Sequence, residues 1–221
     1  MSDEQTAMEE LARDDSSRKR FFKMMGGTGA AAAFTVFLAA CGEDEKPAKS
    51  NSSSSKSSGS MKGDLEIVQY ALTLEHLETD FYNAVIKSGV VKNKALAEAA
   101  TMIRDNEQEH VDALTATVKK LGGTPKKPKT NFDAVIKGGE KKVLETAATV
   151  ENLGAAAYLG QAGRIMSKEV LAAALSIHTV EARHAAALNS AVGKTIVPDG
   201  AFAKPASMEE VLPQVKPFLQ S

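Results

Sequence analysis

The most constraining feature of this sequence is an internal repeat in which one pattern of polar residues occurs twice. In each copy a glutamate lies seven residues before a tyrosine, and a Glu-x-x-His motif follows about thirty residues after that glutamate. The first copy is Glu75–Tyr82 with Glu107 and His110, and the second is Glu151–Tyr158 with Glu181 and His184. A repeat of this kind predicts one helix pair used twice, and therefore four long helices.

The apolar residues support this interpretation, because from Asp64 onwards they recur at spacings of three and four. The predicted helices cover residues 64–88, 94–121, 140–166 and 168–192, with Ser167 as the N-cap of the last. Residues 124–139 contain prolines and glycines and predict one long central connection. We therefore expect an all-α four-helix bundle over residues 64–193, with one long crossover.

The C-terminal segment, residues 194–221, has a different character. Pro198, Gly200 and Pro205 predict an irregular arm. The spacing of Ser207 and Glu210 is typical of a capping box, so we predict a short helix that ends before Pro213. We expect this tail to cover the bundle and to carry no chemistry.

The first 40 residues are typical of an export signal. A basic cluster at residues 18–23 precedes a long uncharged stretch that ends at Cys41, the only cysteine in the chain. Residues 17–23 resemble a twin-arginine export motif with Lys19 in place of the second arginine, and an ordinary secretory route also fits. Residues 38–41 are similar to a bacterial lipobox, which implies lipidation of Cys41. The alternative is an uncleaved membrane anchor.

Residues 41–63 are rich in serine and lysine and show no apolar periodicity. Such a composition cannot bury enough surface to offset the chain entropy, so we predict a flexible tether. Together with the signal, it implies a lipid-anchored domain outside the cytoplasmic membrane, in the periplasm or cell envelope.

The repeated polar residues have the chemistry and the spacing of a two-metal site. Residues three apart lie on one face of a helix, so each Glu-x-x-His motif offers a carboxylate and an imidazole together. The other two helices each need to supply one more carboxylate. Four carboxylates would balance two divalent cations, whereas without metal they would be buried and uncompensated. The predicted ligands are Glu75, Glu107, His110, Glu151, Glu181 and His184.

Two assignments stay open at this stage. Glu78 lies one turn from Glu75 and is an alternative ligand, although the match between the two halves of the repeat favours Glu75. Tyr82 and Tyr158 lie two turns from Glu75 and Glu151, so they face the same interior. They either donate hydrogen bonds to the metal-binding carboxylates or only pack in the core.

Oxygen and nitrogen ligands suit iron or manganese, and the spacing alone does not exclude zinc.

Residues 64–192 resemble the ferritin-like superfamily. The stretches 71–78 and 81–82 are similar to the opening helix of an exported bacterial group that includes desiccation-related proteins, and residues 151–160 are similar to its third helix. The resemblance implies a ferritin-like bundle with two iron ions. It also implies that the iron pair reacts with O₂ or H₂O₂, for example in the oxidation of Fe(II), as in a ferroxidase-type oxidoreductase.

Several other functions fit the sequence less well. The 27 Lys and Arg nearly balance the 28 Asp and Glu, which argues against a nucleic-acid partner. The single cysteine excludes the four-cysteine iron domain of rubrerythrin-like peroxidases.

The alternative function is a non-catalytic envelope protein that protects surfaces under stress or desiccation, or that sequesters metal. A homodimer is compatible with the sequence.

Overall fold

The computed structural model describes residues 54–220, and within them it is all-α, as predicted. Four long helices are joined by turns and one crossover, and two short helices complete the fold. An isolated antiparallel bridge between Thr130 and Leu219 is the only β-pairing in this part of the chain. The helices are α1 (Ser54–Ser88), α2 (Lys94–Lys120), α3 (Asp133–Lys137), α4 (Gly139–Ala162), α5 (Lys168–Ala191) and α6 (Met208–Val215).

Local sequence signals explain most of the helix ends. Gly89, Gly122 and Gly193 follow the ends of α1, α2 and α5, and each has a positive φ that residues with a side chain rarely adopt. The side chain of Ser167 accepts a hydrogen bond from Val170 N at the start of α5, as predicted for an N-cap. The helices pack in sequential pairs, α1 with α2 and α4 with α5, and the crossover carries α3.

Three helix bounds differ from the predictions by more than one residue. Helix α1 begins at Ser54, so residues 54–63 extend it, although their composition predicts a tether. Each added residue extends a nucleated helix by one hydrogen bond. Helix α4 ends at Ala162, four residues before Met166, because Asp64 binds the backbone of the turn that follows. Helix α6 continues through Pro213 to Val215.

The core explains why Pro213 does not end α6. Val211 and Val215 are both buried and belong to the same apolar cluster as Phe81 and Phe132. Burial of two valines offsets the one backbone hydrogen bond that proline cannot donate. The capping box of Ser207 and Glu210 is present as predicted. The tail thus covers the bundle from Ala206 onwards.

Two glycines of α4 permit close packing. An added Cβ at Gly160 would lie 1.9 Å from the carbonyl oxygen of Ala206, so the tail docks directly on this glycine. An added Cβ at Gly154 would meet two buried carboxylates. Two apolar clusters, one around Phe81 and one around Leu72, form the hydrophobic core of the bundle.

The predicted export signal, the lipobox at Cys41 and the first part of the tether lie outside the described residues. Among the helices that are described, none combines the length and the apolar character needed to cross a membrane.

Candidate metal centre

The structure brings the side chains of all six predicted ligands together in the middle of the bundle. Helix α1 supplies Glu75 and α4 supplies Glu151, while α2 and α5 each supply a Glu-x-x-His pair. All four carboxylates are completely buried, and both imidazoles are buried as well. A charged group is rarely found at this depth unless it is paired or binds a metal ion.

The donors form two overlapping groups, and in each group one atom per residue lies within 4.8 Å of the others. The first contains Glu75 and His110, and the second contains Glu151 and His184. Glu107 and Glu181 belong to both groups. Each half of the repeat thus contributes one carboxylate and one imidazole that belong to a single donor group, and one carboxylate that both donor groups share.

Both histidines turn Nδ1 towards the carboxylates. His110 Nδ1 lies 3.0 Å from Glu107 Oε2 and 3.2 Å from both Glu75 Oε2 and Glu181 Oε1. His184 Nδ1 lies 2.8 Å from Glu107 Oε1 and 3.3 Å from Glu151 Oε2. Each imidazole therefore converges with at least two carboxylates on one small volume.

Several of these buried atoms lie close to a neighbour but make no hydrogen bond of suitable geometry. They are Glu107 Oε1, Glu151 Oε2, both Glu181 oxygens and His184 Nδ1. Leaving a buried polar group without a partner costs about 1–3 kcal/mol, and more when the group is charged. Metal coordination would satisfy all of these atoms at once, so the donor set fits the binding of metal ions.

The two tyrosines link the halves of the repeat. Tyr82 of α1 donates a hydrogen bond of 2.5 Å to Glu151 of α4. Tyr158 of α4 donates in turn to Glu75 of α1. Each terminal carboxylate is thus held by a hydroxyl from the opposite helix. The structure favours the hydrogen-bonding role over simple core packing.

Glu78 is a fifth buried carboxylate in this region, and its place beside the donor groups was not predicted from the sequence. It is absent from both donor groups, so the structure favours Glu75 over Glu78 as the candidate ligand from α1. Glu78 Oε2 has no hydrogen-bond partner. The side chain of Glu78 packs against Gly154. An added Cβ at this glycine would lie 2.8 Å from Glu78 Oε1 and 3.0 Å from Glu181 Oε2. The sequence does contain one indication of this contact, because the repeat aligns Glu78 in the first half with a glycine, Gly154, in the second.

Asn106 is a second residue that the sequence analysis missed. Its Oδ1 lies 3.1 Å from His184 Nε2. An Nε2–H that donates to this oxygen leaves the lone pair of Nδ1 directed at the carboxylates, which is the tautomer that binds a metal ion. The position one residue before Glu181 in the second half is Val180, so the repeat gives no indication of this contact.

The electrostatics of the centre favour proton uptake when no cation is bound. Burial, followed by repulsion from neighbouring carboxylates, raises the pKa of Glu78, Glu107 and Glu181 well above the ordinary value. Burial opposes the protonation of His110, but Glu75 and the hydrogen-bonded carboxylates outweigh it and raise its pKa. Burial likewise opposes ionisation of Glu75, yet attraction to His110 lowers its pKa.

Comparison with known proteins gives one match and one negative result. A family model described as a ferritin-like domain matches residues 63–194, which include all six candidate ligands and both tyrosines. A search of curated proteins finds no match to this chain.

Proposed function

The chain belongs to the ferritin-like domain family, and from this premise we propose that it binds two iron ions and oxidises Fe(II) with O₂ or H₂O₂. The observation that carries the proposal is the pair of overlapping donor groups that share Glu107 and Glu181. Four carboxylates balance the charge of two divalent cations, and carboxylate with imidazole is a ligand set that suits iron or manganese.

The residues of the bundle would prepare this centre for redox chemistry. Bound iron would supply one-electron steps. Two Fe(II) ions would supply the two electrons that, with two protons, convert O₂ to H₂O₂ or convert H₂O₂ to two molecules of water. The protein fixes the terminal carboxylates through Tyr82 and Tyr158 and orients His184 through Asn106. The burial of the carboxylates excludes bulk water.

The proposed site of the reaction is outside the cytoplasmic membrane. The predicted signal and lipobox support an exported protein that is anchored to the membrane through a lipid on Cys41 and that acts outside the cytoplasm. The partners are then Fe(II) and O₂ or H₂O₂, with no nucleic acid. Storage of iron for the cytoplasm is an unsuitable purpose at that location. A homodimer stays a prediction.

A matched pair of glutamate variants on α2 tests the metal centre. Glu107 lies in both donor groups, whereas Glu109 is exposed on the same helix. We expect wild-type protein and Glu109→Gln to bind two iron ions per chain, and Glu107→Gln to bind at most one and to lose Fe(II) oxidation. Metal content and the rate of Fe(III) formation under O₂ measure these outcomes. Two tightly bound irons in Glu107→Gln would contradict the proposed centre.

The same measurements separate oxidation from sequestration. If the wild-type protein binds two irons but forms Fe(III) no faster than buffer alone, the oxidase proposal is wrong and metal sequestration is the better function. Peroxide should be compared with O₂ as the oxidant, because the proposed function includes both.

A further inference from the structure

A small cavity lies inside the bundle next to the candidate metal centre. Its volume is about 20 Å³, and residues from all four long helices line it. A water-sized molecule needs roughly 10–15 Å³, so the cavity has room for one small molecule. Its wall includes Tyr158, which donates a hydrogen bond to Glu75. The cavity is therefore separated from a candidate ligand by one side chain.

The chemistry of the wall selects the type of occupant. The surface that faces the cavity is almost entirely apolar. Among the polar residues of the wall, Thr117 already donates to Ala113 O, and the amide oxygen of Gln161 accepts from Arg164. A buried water needs two to four polar partners, and the hydroxyl of Tyr70 is the one fully buried side-chain polar atom of the described wall that has no hydrogen-bond partner. The cavity suits a small apolar molecule better than water.

The two ends of the cavity wall adjoin different parts of the bundle. At one end its wall contains Ile67, Ile165 and Val170, which lie near the turn between α4 and α5. At the other end it contains Leu74 and Tyr158, which adjoin Glu75 in sequence or through a hydrogen bond. The cavity therefore lies between the turn that joins α4 to α5 and the buried carboxylates.

We propose that this cavity is a binding site for dioxygen, which it holds beside the metal centre. The inference rests on the proposed function, because that function supplies the reason for an apolar diatomic ligand at this place. Dioxygen is small, uncharged and weakly hydrated, so it enters an apolar cavity at little desolvation cost. No bond forms or breaks at the cavity, and the reduction takes place at the iron pair.

Xenon tests the gas site without reference to any metal, since xenon binds in apolar cavities as small molecules do. Crystals of the wild-type protein should be pressurised with xenon and its position determined by anomalous scattering. We expect xenon between Tyr158 and Ile165. Xenon elsewhere, or none in the bundle, overturns the inference even if Fe(II) oxidation is fast.

A matched pair of alanine variants then tests the use of the site. Ala173 lines the cavity, whereas Ala147 is similarly buried in the cluster around Phe81. We expect Ala173→Val to lose the xenon and to raise the KM for O₂ several-fold at unchanged iron content, and Ala147→Val to change neither. Equal KM values in both variants overturn the inference. Xenon in the cavity with no Fe(II) oxidation by wild-type protein instead overturns the proposed function, while the gas site stands.

Discussion

Gly154 of α4 has no side chain where two buried carboxylates lie. An added Cβ would be 2.8 Å from Glu78 Oε1 and 3.0 Å from Glu181 Oε2, closer than a Cβ normally approaches. Because Glu181 belongs to both donor groups, a shift of its side chain affects both metal positions. We predict that Gly154→Ala weakens iron binding roughly tenfold or more, as expected when groups around a ligand are displaced. Titration of the metal-free protein with Fe(II) under nitrogen measures this.

Gly163 is the control for this substitution. It follows the last residue of the same helix, its φ is −71°, and an added Cβ would have no neighbour within 4 Å. Gly163→Ala should therefore leave the iron affinity unchanged. If both variants bind iron as the wild type does, Gly154 is not needed to place Glu181.

At the residue level, spacing predicted the six donors but not the groups around them. Glu107 and His110 are three apart on one helix, and the repeat related them to Glu181 and His184, so local geometry was sufficient. Asn106 contacts His184 across a sequence separation of 78 residues. Such a contact depends on how α2 and α5 are rotated against each other, which no local pattern contains.

At the level of helices, one buried carboxylate joins the start of the bundle to the turn between α4 and α5. Asp64 is buried, and its two oxygens accept hydrogen bonds of 2.8 Å from Met166 N and Ser167 N. We predict that Asp64→Ala lowers the free energy of unfolding by about 2 kcal/mol, because it leaves two backbone donors without their partner. Chemical denaturation of the metal-free protein measures this change.

Glu66 provides the comparison, because it is exposed on the same helix. Glu66→Ala should change the stability by a few tenths of a kcal/mol at most. A loss of stability as large as that of Asp64→Ala would show that removal of any carboxylate from this part of α1, rather than loss of the contact with the turn, explains the effect, because alanine itself favours the helix.

The contact of Asp64 also explains which helix ends the sequence could predict. Ser167 and the glycines after α1, α2 and α5 act within their own segments, so their positions were readable. The end of α4 depends on Asp64, which is about one hundred residues away in sequence. The extension of α6 through Pro213 depends on the burial of Val211 and Val215. Both differences arise from tertiary packing, which overrides local propensity.

At the level of the whole molecule, the charge in the interior couples metal binding to folding. The pKa values of Glu78, Glu107 and Glu181 are raised from 4.5, mainly by burial, and that of His110 is raised from 6.5, where its carboxylate neighbours outweigh burial. Glu75 has the opposite shift. Three carboxyls and one imidazole therefore bind protons more tightly in the folded protein than in the unfolded chain, against one carboxyl that binds them less tightly.

The sign of the pH dependence follows from this balance. The stabilisation from a raised glutamate pKa is complete below pH 4.5, and that from His110 is complete below pH 6.5. Both are lost as the pH rises through the raised values. We predict that the Tm of the metal-free protein falls between pH 5 and pH 8, as roughly placed by the ordinary pKa values of glutamate and histidine. Calorimetry in chelator-treated buffers measures this.

The metal-loaded protein is the control, since cations would take the place of the protons at the same carboxylates. Its Tm should stay level or rise over the same range, because competition from protons for the ligands weakens as the pH increases. The two curves should therefore diverge with rising pH, and their separation reports the coupling between metal and fold. Parallel curves would mean that iron binds away from the buried carboxylates, which would contradict the assignment of the centre.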